Sequence, residues 1–235
     1  SGSYAAIIQA VCDTVVMWEP LGYGADANAA QALFGSRTLP HYELANASYV
    51  LSFGADFLGH WGGDRITGDY AKARNHAHGH KVARFGLVSP YRDQTGANAD
   101  DWYAAAPGSQ ALVARAVAKL VAAKNGYNGP ALAALGNVDT AAAASASGLS
   151  AEDIEAIADH FAKNASVALP GGPAGSGANA TELAAAAYLL NLVGAGKGLF
   201  QNGGYDSPVN SASDVAALVK DLESGSVGVL FVDDC

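Results

Sequence analysis

The chain has 235 residues, of which 50% are hydrophobic and 15% are charged, a composition typical of one large or two small globular domains and not of a disordered chain. Its 13 basic and 22 acidic residues give a formal net charge of -9, which argues against nucleic acid or an anionic membrane surface as a partner. The two cysteines, Cys12 and Cys235, are too few and too far apart for an iron-sulfur cluster or a cysteine-rich zinc site within this chain.

Short apolar runs alternate with segments of helical periodicity, which predicts an α/β fold with a mostly parallel sheet and flanking helices. No run reaches the roughly 18 apolar residues that a membrane-spanning helix needs, so we expect no direct membrane span. The predicted strands are residues 13–18, 48–53, 81–88, 166–169, 197–200 and 227–232.

The predicted helices have clearer boundaries than the strands. Apolar residues repeat with helical spacing over 112–121, 154–161 and 215–222, so each segment has one face to bury. Ser150 with Asp153, and Ser211 with Asp214, have the spacing of capping boxes in which aspartate takes the place of glutamate.

A stretch rich in Ala, Gly and Asn between residues 125 and 148 interrupts this alternation. We therefore predict a first α/β lobe over residues 1–125, a linker or weakly packed segment over 126–150, and a second lobe over 151–235, both lobes being Rossmann-like. The chain ends in VGVLFVDDC, directly after a strand-like run. Because the loop after such a strand normally carries ligand contacts in an open α/β sheet, we expect the chain to be an interior fragment of a longer protein.

The carboxyl ends of two predicted strands are followed by residues suited to a ligand site. Residues 54–56 (GAD) follow one strand and residues 89–92 (SPYR) follow the next, at the edge where parallel sheets bind ligands. Residues 107–109 (PGS) then begin a helix whose free N–H groups could receive an anion. The alternative is purely structural, with Ser109 as a helix N-cap and Asp100 or Asp101 as the cap of a local turn.

Two other patterns carry weaker signals. Gly175, Gly177 and Ala180 fit the short form of a dinucleotide fingerprint, but neighbouring prolines lengthen the turn, so a flexible loop is favoured over a nucleotide site. His76, His78 and His80 alternate and could share a metal ion in an extended segment. A surface loop is the favoured interpretation, and we predict no metal ligands and no catalytic residues in this chain.

Three stretches, in this order, resemble the molybdopterin oxidoreductase family (DMSO reductase superfamily). They are YELANASYVLSFGADFL, YAKARNHAHGHKVARFGLVSPYRDQTGANADDW and APGSQALVARAVAKLV. Within the family, they are most similar to the branch that contains the large iron-sulfur subunit of alternative complex III and twin-arginine-exported proteins related to polysulfide reductase.

The resemblance implies where a pterin dinucleotide would contact this chain. The loop at 54–56 would approach the pterin dinucleotide, the turn that begins at Ser89 would contact the nucleotide, and the turn at 107–110 would recognise guanine. The candidate cofactor-binding positions are Gly54, Ala55, Asp56, Ser89, Pro90, Thr95, Asp100, Gly108, Ser109 and Gln110.

This sequence departs from the family pattern where cofactor chemistry depends on it most. Ser89 and Tyr91 stand where the family has aspartate and arginine, and Gln110 stands where an aspartate would accept two hydrogen bonds from guanine. A glutamine offers one neutral acceptor, and losing such a buried pairing costs about 1–3 kcal/mol. We therefore predict a degenerate site with no cofactor in this chain; the alternative is bound molybdopterin guanine dinucleotide.

The resemblance also implies a cellular role. We expect a scaffold segment from a subunit of a respiratory electron-transfer complex of the quinol-oxidising alternative complex III type, not catalytic by itself. Other subunits of a membrane-bound complex at the periplasmic face would be its partners, and iron-sulfur clusters would lie in regions outside this chain. The alternatives are a true molybdopterin-dependent oxidoreductase of the polysulfide or thiosulfate reductase type, and a stand-alone nucleotide-binding module that uses the loop at 175–180.

Overall fold

Six strands form two sheets in the part of the chain that the computed structural model describes, which comprises residues 8, 10–12, 14–18, 23–76, 82–172, 176–196, 198–206 and 210–232. The strands are β1 (Thr38–Tyr42), β2 (Tyr49–Ser52), β3 (Arg84–Ser89), β4 (Asp101–Ala104), β5 (Ser166–Leu169) and β6 (Phe200–Asp206). β4, β3, β2 and β5 form a parallel sheet in that order, while β1 and β6 form an antiparallel ribbon.

The helices include the three predicted from apolar spacing. They are α1 (Gly24–Phe34), α2 (Gly63–Ala73), α3 (Gln110–Lys124), α4 (Pro130–Ala134), α5 (Thr140–Ser147), α6 (Ala151–Lys163), α7 (Ala180–Val193) and α8 (Ala212–Glu223). Both predicted capping boxes are confirmed, at Ser150 before α6 and at Ser211 before α8. Among the described residues, no helix is both long enough and apolar enough to cross a membrane.

Side chains alternate between the two faces of the parallel sheet, and each face has its own apolar core. Tyr49 and Leu51 of β2 pack with residues of α3, α6 and α7 on one face. Val50 of the same strand packs on the opposite face with Phe85 of β3 and Ile66 of α2. Because helices cover both faces, β2 and β5 are buried along their whole length, as expected for strands of a parallel sheet. The fold is therefore the predicted α/β class.

An asparagine side chain closes the free edge of β5. The N–H groups of Ser48 and Phe53 donate to the carbonyls of Ala165 and Leu169, which therefore point toward β2. Because backbone groups alternate in direction along a strand, the N–H and C=O of Ala168 point away from β2. The Asn191 Oδ1 atom accepts from the Ala168 N–H (2.7 Å), and Asn191 Nδ2 donates to the Ala168 carbonyl (2.8 Å). The amide thus makes the hydrogen bonds that a neighbouring strand would make.

Three strand predictions are confirmed and two are wrong. Segments 48–53, 81–88 and 166–169 contain β2, most of β3 and all of β5, with residue 81 outside the described residues. Residues 14–18 and 227–232 have no regular secondary structure. From the predicted strand at 197–200, only Phe200 lies in a strand, at the start of β6, and residue 197 is outside the described part. The sequence patterns did not predict β1 and β4.

The chain on both sides of the predicted linker contributes to one sheet. β5 pairs with β2 in register, and α7 packs against α3. Within the predicted linker, α4 and α5 form and Leu135 and Ala143 are buried. The division into lobes at residues 125 and 151 stays a prediction.

Replacing Asn191 with alanine should destabilise the protein by about 1–3 kcal/mol, because the N–H and C=O of buried Ala168 would lose their partners. As a matched control, Asn98→Ala removes one exposed hydrogen bond to the Gln94 carbonyl and should cost less than about 0.5 kcal/mol. Urea unfolding followed by circular dichroism measures both differences. Equal losses in the two variants would contradict the edge-closing role of Asn191.

Candidate functional site

The candidate cofactor residues lie on loops that follow the strands of the parallel sheet. The loop after β2 covers residues 53–62, the loop after β3 covers 90–100, and the loop after β4 covers 105–109. The loop after β5 runs from 170 to 179, of which 173–175 lie outside the described residues. Since the strands are parallel, their carboxyl ends meet at one edge of the sheet, called here the carboxyl edge.

Asp56 and Thr95 connect the loops after β2 and β3. The Thr95 hydroxyl donates to Asp56 Oδ1 at 2.6 Å and accepts from the Leu58 N–H at 2.9 Å. Thr95 is fully buried. His60 lies on the exposed side of the same carboxylate, with Nδ1 3.5 Å from Asp56 Oδ2. The structure thus brings two candidate residues together in a contact internal to the protein.

Glycines bring the loops after β2 and β5 into direct backbone contact. Gly172 has a φ of +71°, and a Cβ atom on it would lie 2.3 Å from the Gly54 carbonyl oxygen and 3.0 Å from the Asp56 N atom. Gly54 itself has a φ of +101°. The chain runs from β2 to β3 on one side while β5 lies on the other, so this contact falls at the switch point where open α/β sheets bind ligands.

Ser89 ends β3 and is held by its neighbours. Its Oγ accepts from the Tyr91 N–H (3.4 Å), and its carbonyl accepts from Trp102 Nε1 (3.0 Å). The Arg92 guanidinium lies 5.7 Å from the centre of the Trp102 ring. Partial burial, with the nearby charges of Asp93 and Asp56, raises the pKa of the Tyr91 hydroxyl.

Asp100 lies away from the other candidate residues. Its carboxylate pairs with Arg74 (2.5 Å) and accepts from the N–H of Phe85 (2.7 Å), near the beginning of β3. Burial alone would raise the pKa of Asp100, but the hydrogen bonds from Arg74 and Phe85 outweigh burial and hold the pKa below its ordinary value. Asp100 therefore lies at the amino edge of the sheet, where it fixes the start of β3.

The turn before α3 is only partly open to a ligand. Gly108 is exposed, has a φ of +80°, and its carbonyl accepts from Asn179 Nδ2 at 2.7 Å. The Ser109 hydroxyl donates to the Ala106 carbonyl at 2.6 Å and makes no side-chain cap on the helix. Gln110 is only 1% exposed.

The protein itself buries six of the ten candidate residues and leaves the other four at least partly exposed. Asp56 and Pro90 are partly buried, and Asp100 and Gly108 are exposed. The other residues are buried without any ligand: Gly54, Ala55, Ser89, Thr95, Ser109 and Gln110.

Two of the weaker sequence patterns lie partly outside the described residues. His76 is described, but His78 and His80 lie outside the described residues. Gly175 of the glycine-rich loop also lies outside them. The described residues contain no group of three His, Cys, Asp or Glu side chains placed to hold a metal ion. The absence of metal ligands among the three histidines therefore stays a prediction.

A separate cleft, which no sequence pattern indicated, lies between α1, β1 and α2. Its volume is about 110 Å³. It is lined by Tyr23, Asp26, Leu39, Pro40, Tyr42, Trp61, Gly62, Arg65 and Ile66. In the sequence, Asp26 has the ordinary features of an acidic residue in the first turn of a helix, so only the fold places it in a cleft.

Asp26 is buried, with only 5% of its surface exposed. Its Oδ1 accepts from the Tyr188 hydroxyl of α7 at 3.2 Å. Burial raises the pKa of Asp26 to about 7, although the hydrogen bond from Tyr188 opposes the increase. In the described part of the chain no Lys, Arg or His side chain contributes to its ionisation.

Comparison with known proteins supports the family prediction in its broad form. Over 101 residues the chain is 31% identical to the menaquinone reductase, molybdopterin-binding-like subunit of Nitratidesulfovibrio vulgaris, a match that covers 43% of this chain and 14% of that protein. No family model matches the chain. The sequence similarity supports a relation to the molybdopterin oxidoreductase family.

A solved structure has a similar fold. Acetylene hydratase from Pelobacter acetylenicus aligns with a TM-score of 0.59 at 13% identity, over 78% of this chain and 26% of that chain. The alignment confirms the α/β fold with its parallel sheet. The chain therefore spans about a quarter of this protein's length and about a seventh of the menaquinone reductase subunit.

The buried carboxyl of Asp26 should make stability depend on pH. Its folded pKa of about 7 lies above the value of 3.8 for a free aspartate. The resulting stabilisation is complete below about pH 4 and is lost as the pH rises through 7. Asp26→Asn should therefore gain up to about 4 kcal/mol relative to the native protein between pH 4 and pH 8.

Urea unfolding at a series of pH values measures this difference. Tyr188→Phe serves as the comparison, because it keeps the carboxyl but removes the hydrogen bond that lowers the pKa of Asp26, so the pH dependence should persist and extend to higher pH. If the stability of the Asp26→Asn variant and that of the native protein responded identically to pH, the assigned burial of the charge would be incorrect.

Proposed function

We propose that the chain is a scaffold segment from a molybdopterin-oxidoreductase-like subunit of a respiratory electron-transfer complex, of the quinol-oxidising alternative complex III type. Its carboxyl edge keeps the form of a pterin dinucleotide site and holds no dinucleotide. The partners of the segment are the other subunits of that complex, at the periplasmic face of the membrane. Electron transfer takes place on groups held outside this chain.

The observation that carries the proposal is the burial of the candidate contact residues by the protein itself. Gln110 is 1% exposed and Ser89 is 2% exposed with no ligand present. A guanine base could reach Gln110 only if neighbouring protein atoms moved away. The loops after β2 and β5 are also in backbone contact at Gly54 and Gly172, so a ligand that entered between them would have to overcome a packing loss before making any contact.

The charges at the carboxyl edge also do not suit a dinucleotide, whose two phosphates are negative. Asp56 and Asp93 place carboxylates on the loops after β2 and β3. Arg92 is the neighbouring cation, and it already stacks on Trp102 and donates from Nε to the Gly96 carbonyl at 3.2 Å. Carboxylates without free cations repel phosphate, so the residues present do not fit the pterin dinucleotide.

Exposed apolar surface supports the role of a segment within a larger assembly. Val229, Leu230, Phe231 and Val232 are between 47% and 71% exposed. None of the residues of α8, the helix that precedes them, is buried. Contiguous apolar surface of this kind normally marks a contact with other protein surface. The relative with 31% identity is itself named as a subunit, which agrees with a role inside a complex.

Purified protein should contain neither molybdenum nor a nucleotide released by acid, measured by elemental mass spectrometry and liquid chromatography. GDP, NAD and FAD at about 1 mM should leave the melting temperature unchanged, since a ligand stabilises only the state it binds.

Gln110→Asp restores the guanine-reading carboxylate. It should still bind no GDP by calorimetry, because the edge remains closed.

Three results would contradict the proposal. Stoichiometric molybdenum with released guanine nucleotide would identify a true molybdopterin-dependent oxidoreductase of the polysulfide or thiosulfate reductase type. Saturable NAD or FAD binding would identify a nucleotide-binding module that uses the loop at 175–180. GDP binding by the Gln110→Asp variant alone would show that one side chain, and not closure of the edge, prevents cofactor binding.

A further inference from the structure

We infer that the cleft between α1, β1 and α2 is a binding site for a small organic ammonium ion. Asp26 supplies the negative charge, and the rings of Tyr23, Tyr42 and Trp61 supply aromatic walls. This inference concerns a different part of the molecule from the carboxyl edge. It does not depend on the proposed function.

Asp26 has no cationic partner among the described residues. A buried carboxylate is costly unless a cation and hydrogen bonds compensate it. Asp69 of α2 shows the usual solution in this protein, because its side chain, 9% exposed, bonds to both Arg65 and Lys72 at 3.0 Å. Asp26 has the Tyr188 hydroxyl as a donor and no cationic partner among the described residues. A cation in the cleft would supply the missing partner.

Three aromatic rings line the cleft beside Asp26. The Trp61 ring centre lies 6.2 Å from that of Tyr23 and 5.8 Å from that of Tyr42, with both pairs of rings tilted by about 50°. The faces of aromatic rings attract cations, and cages of such rings recognise organic ammonium ions. A carboxylate beside three tilted rings therefore favours a positively charged ligand with apolar substituents.

The remaining lining decides between an organic cation and a metal ion. Leu39, Pro40 and Ile66 present apolar groups to the cleft. Hard metal ions need six or more oxygen ligands, whereas among the described residues Asp26 is the one carboxylate in the lining. The volume of about 110 Å³ corresponds to about four water molecules. An alkylammonium ion with a few heavy atoms matches both the chemistry and the size.

Arg65 limits the charge of the ligand. Its Nη1 donates to the Tyr42 carbonyl and to Asp69 Oδ2, both at 3.0 Å. The guanidinium is therefore held by these partners and not by Asp26. Its positive charge, only partly offset by Asp69, repels a second cationic group, so the cleft selects monovalent ammonium ions over diamines.

Binding should become tighter as the pH rises through 7, because the ligand requires the carboxylate form of Asp26. Among the described residues, the other titratable or charged groups are Tyr188 of α7, which donates to Asp26, and three residues that line the same cleft, Tyr42 of β1, Arg65 of α2 and Tyr23. Burial holds the pKa of the Tyr188 hydroxyl well above its ordinary value, and phenol and guanidinium groups ordinarily keep their charge state near neutral pH. Asp26 is thus the group among them that changes charge in this range, and binding below pH 7 should release a proton.

Calorimetry and two-dimensional NMR with methylammonium and propylammonium chloride at pH 8 test the inference. We expect saturable binding with chemical-shift changes centred on Asp26 and Trp61, and a loss of at least about tenfold in affinity for Asp26→Asn. Trp61→Phe should retain most of the affinity, while Trp61→Leu should lose about three- to tenfold. Glu182→Gln removes one acidic charge from the exposed pair with Arg115 and should leave binding unchanged.

Each of four outcomes would overturn the inference. They are no saturable binding of either amine, acetate binding as tightly as the amines, potassium ions competing as well as methylammonium, or equal affinities in Asp26→Asn and the native protein. Asp26→Asn changes the shape of the side chain very little. The urea unfolding curve of this variant serves as the control that separates a loss of binding from a loss of the fold.

Discussion

A parallel sheet leaves backbone N–H and C=O groups without partners along its edge strands and at the carboxyl ends of its strands. In this protein, other parts of the chain contact several of these groups. The Asn191 amide takes the place of a strand beside β5. The Thr95 hydroxyl lies between the loops after β2 and β3. Gly172 brings the loop after β5 against the backbone at Gly54. Buried polar groups need such partners, and these internal contacts leave little for a ligand to satisfy.

The proposed closure of the carboxyl edge would separate the form of a cofactor site from cofactor binding. The fold places the loops where an open α/β sheet binds ligands, and the similarity to acetylene hydratase extends over 78% of the chain. Fold alone does not determine function, because function depends on which side chains and backbone groups stay accessible. Here the turn residues persist while Ser89 and Gln110 are buried by the protein. Such a segment can keep its shape in a complex without keeping the ligand.

The sequence predicted the elements whose signal is local. β2 and β5 are continuous apolar runs, and the capping boxes at Ser150 and Ser211 depend on residues three positions apart. β1 contains Pro40, and β4 begins with Asp101 and has no fully buried residue, so neither is a continuous apolar run. Each becomes a strand because a partner is present. Residues 227–232 have a stronger strand pattern but no partner strand among the described residues. They form no strand, because strand formation depends on pairing and burial.

The sequence predicted which positions belong to the candidate site. It did not predict how those positions are arranged in three dimensions. Thr95 and Asp100 are five positions apart, yet one lies at the carboxyl edge and the other pairs with Arg74 at the amino edge. The chain crosses the sheet between them, which no local pattern shows. Asp26 gave no signal at all, because its burial depends on Tyr188, 162 residues away.

The most direct test of closure at the carboxyl edge is an experimental density map of the intact protein in its native complex. We expect protein atoms and ordered water around Gly54, Ser89 and Gln110, with the Gly172 backbone against Gly54. Density for a pterin dinucleotide with its guanine facing Gln110, and with the two glycine loops separated, would contradict this expectation.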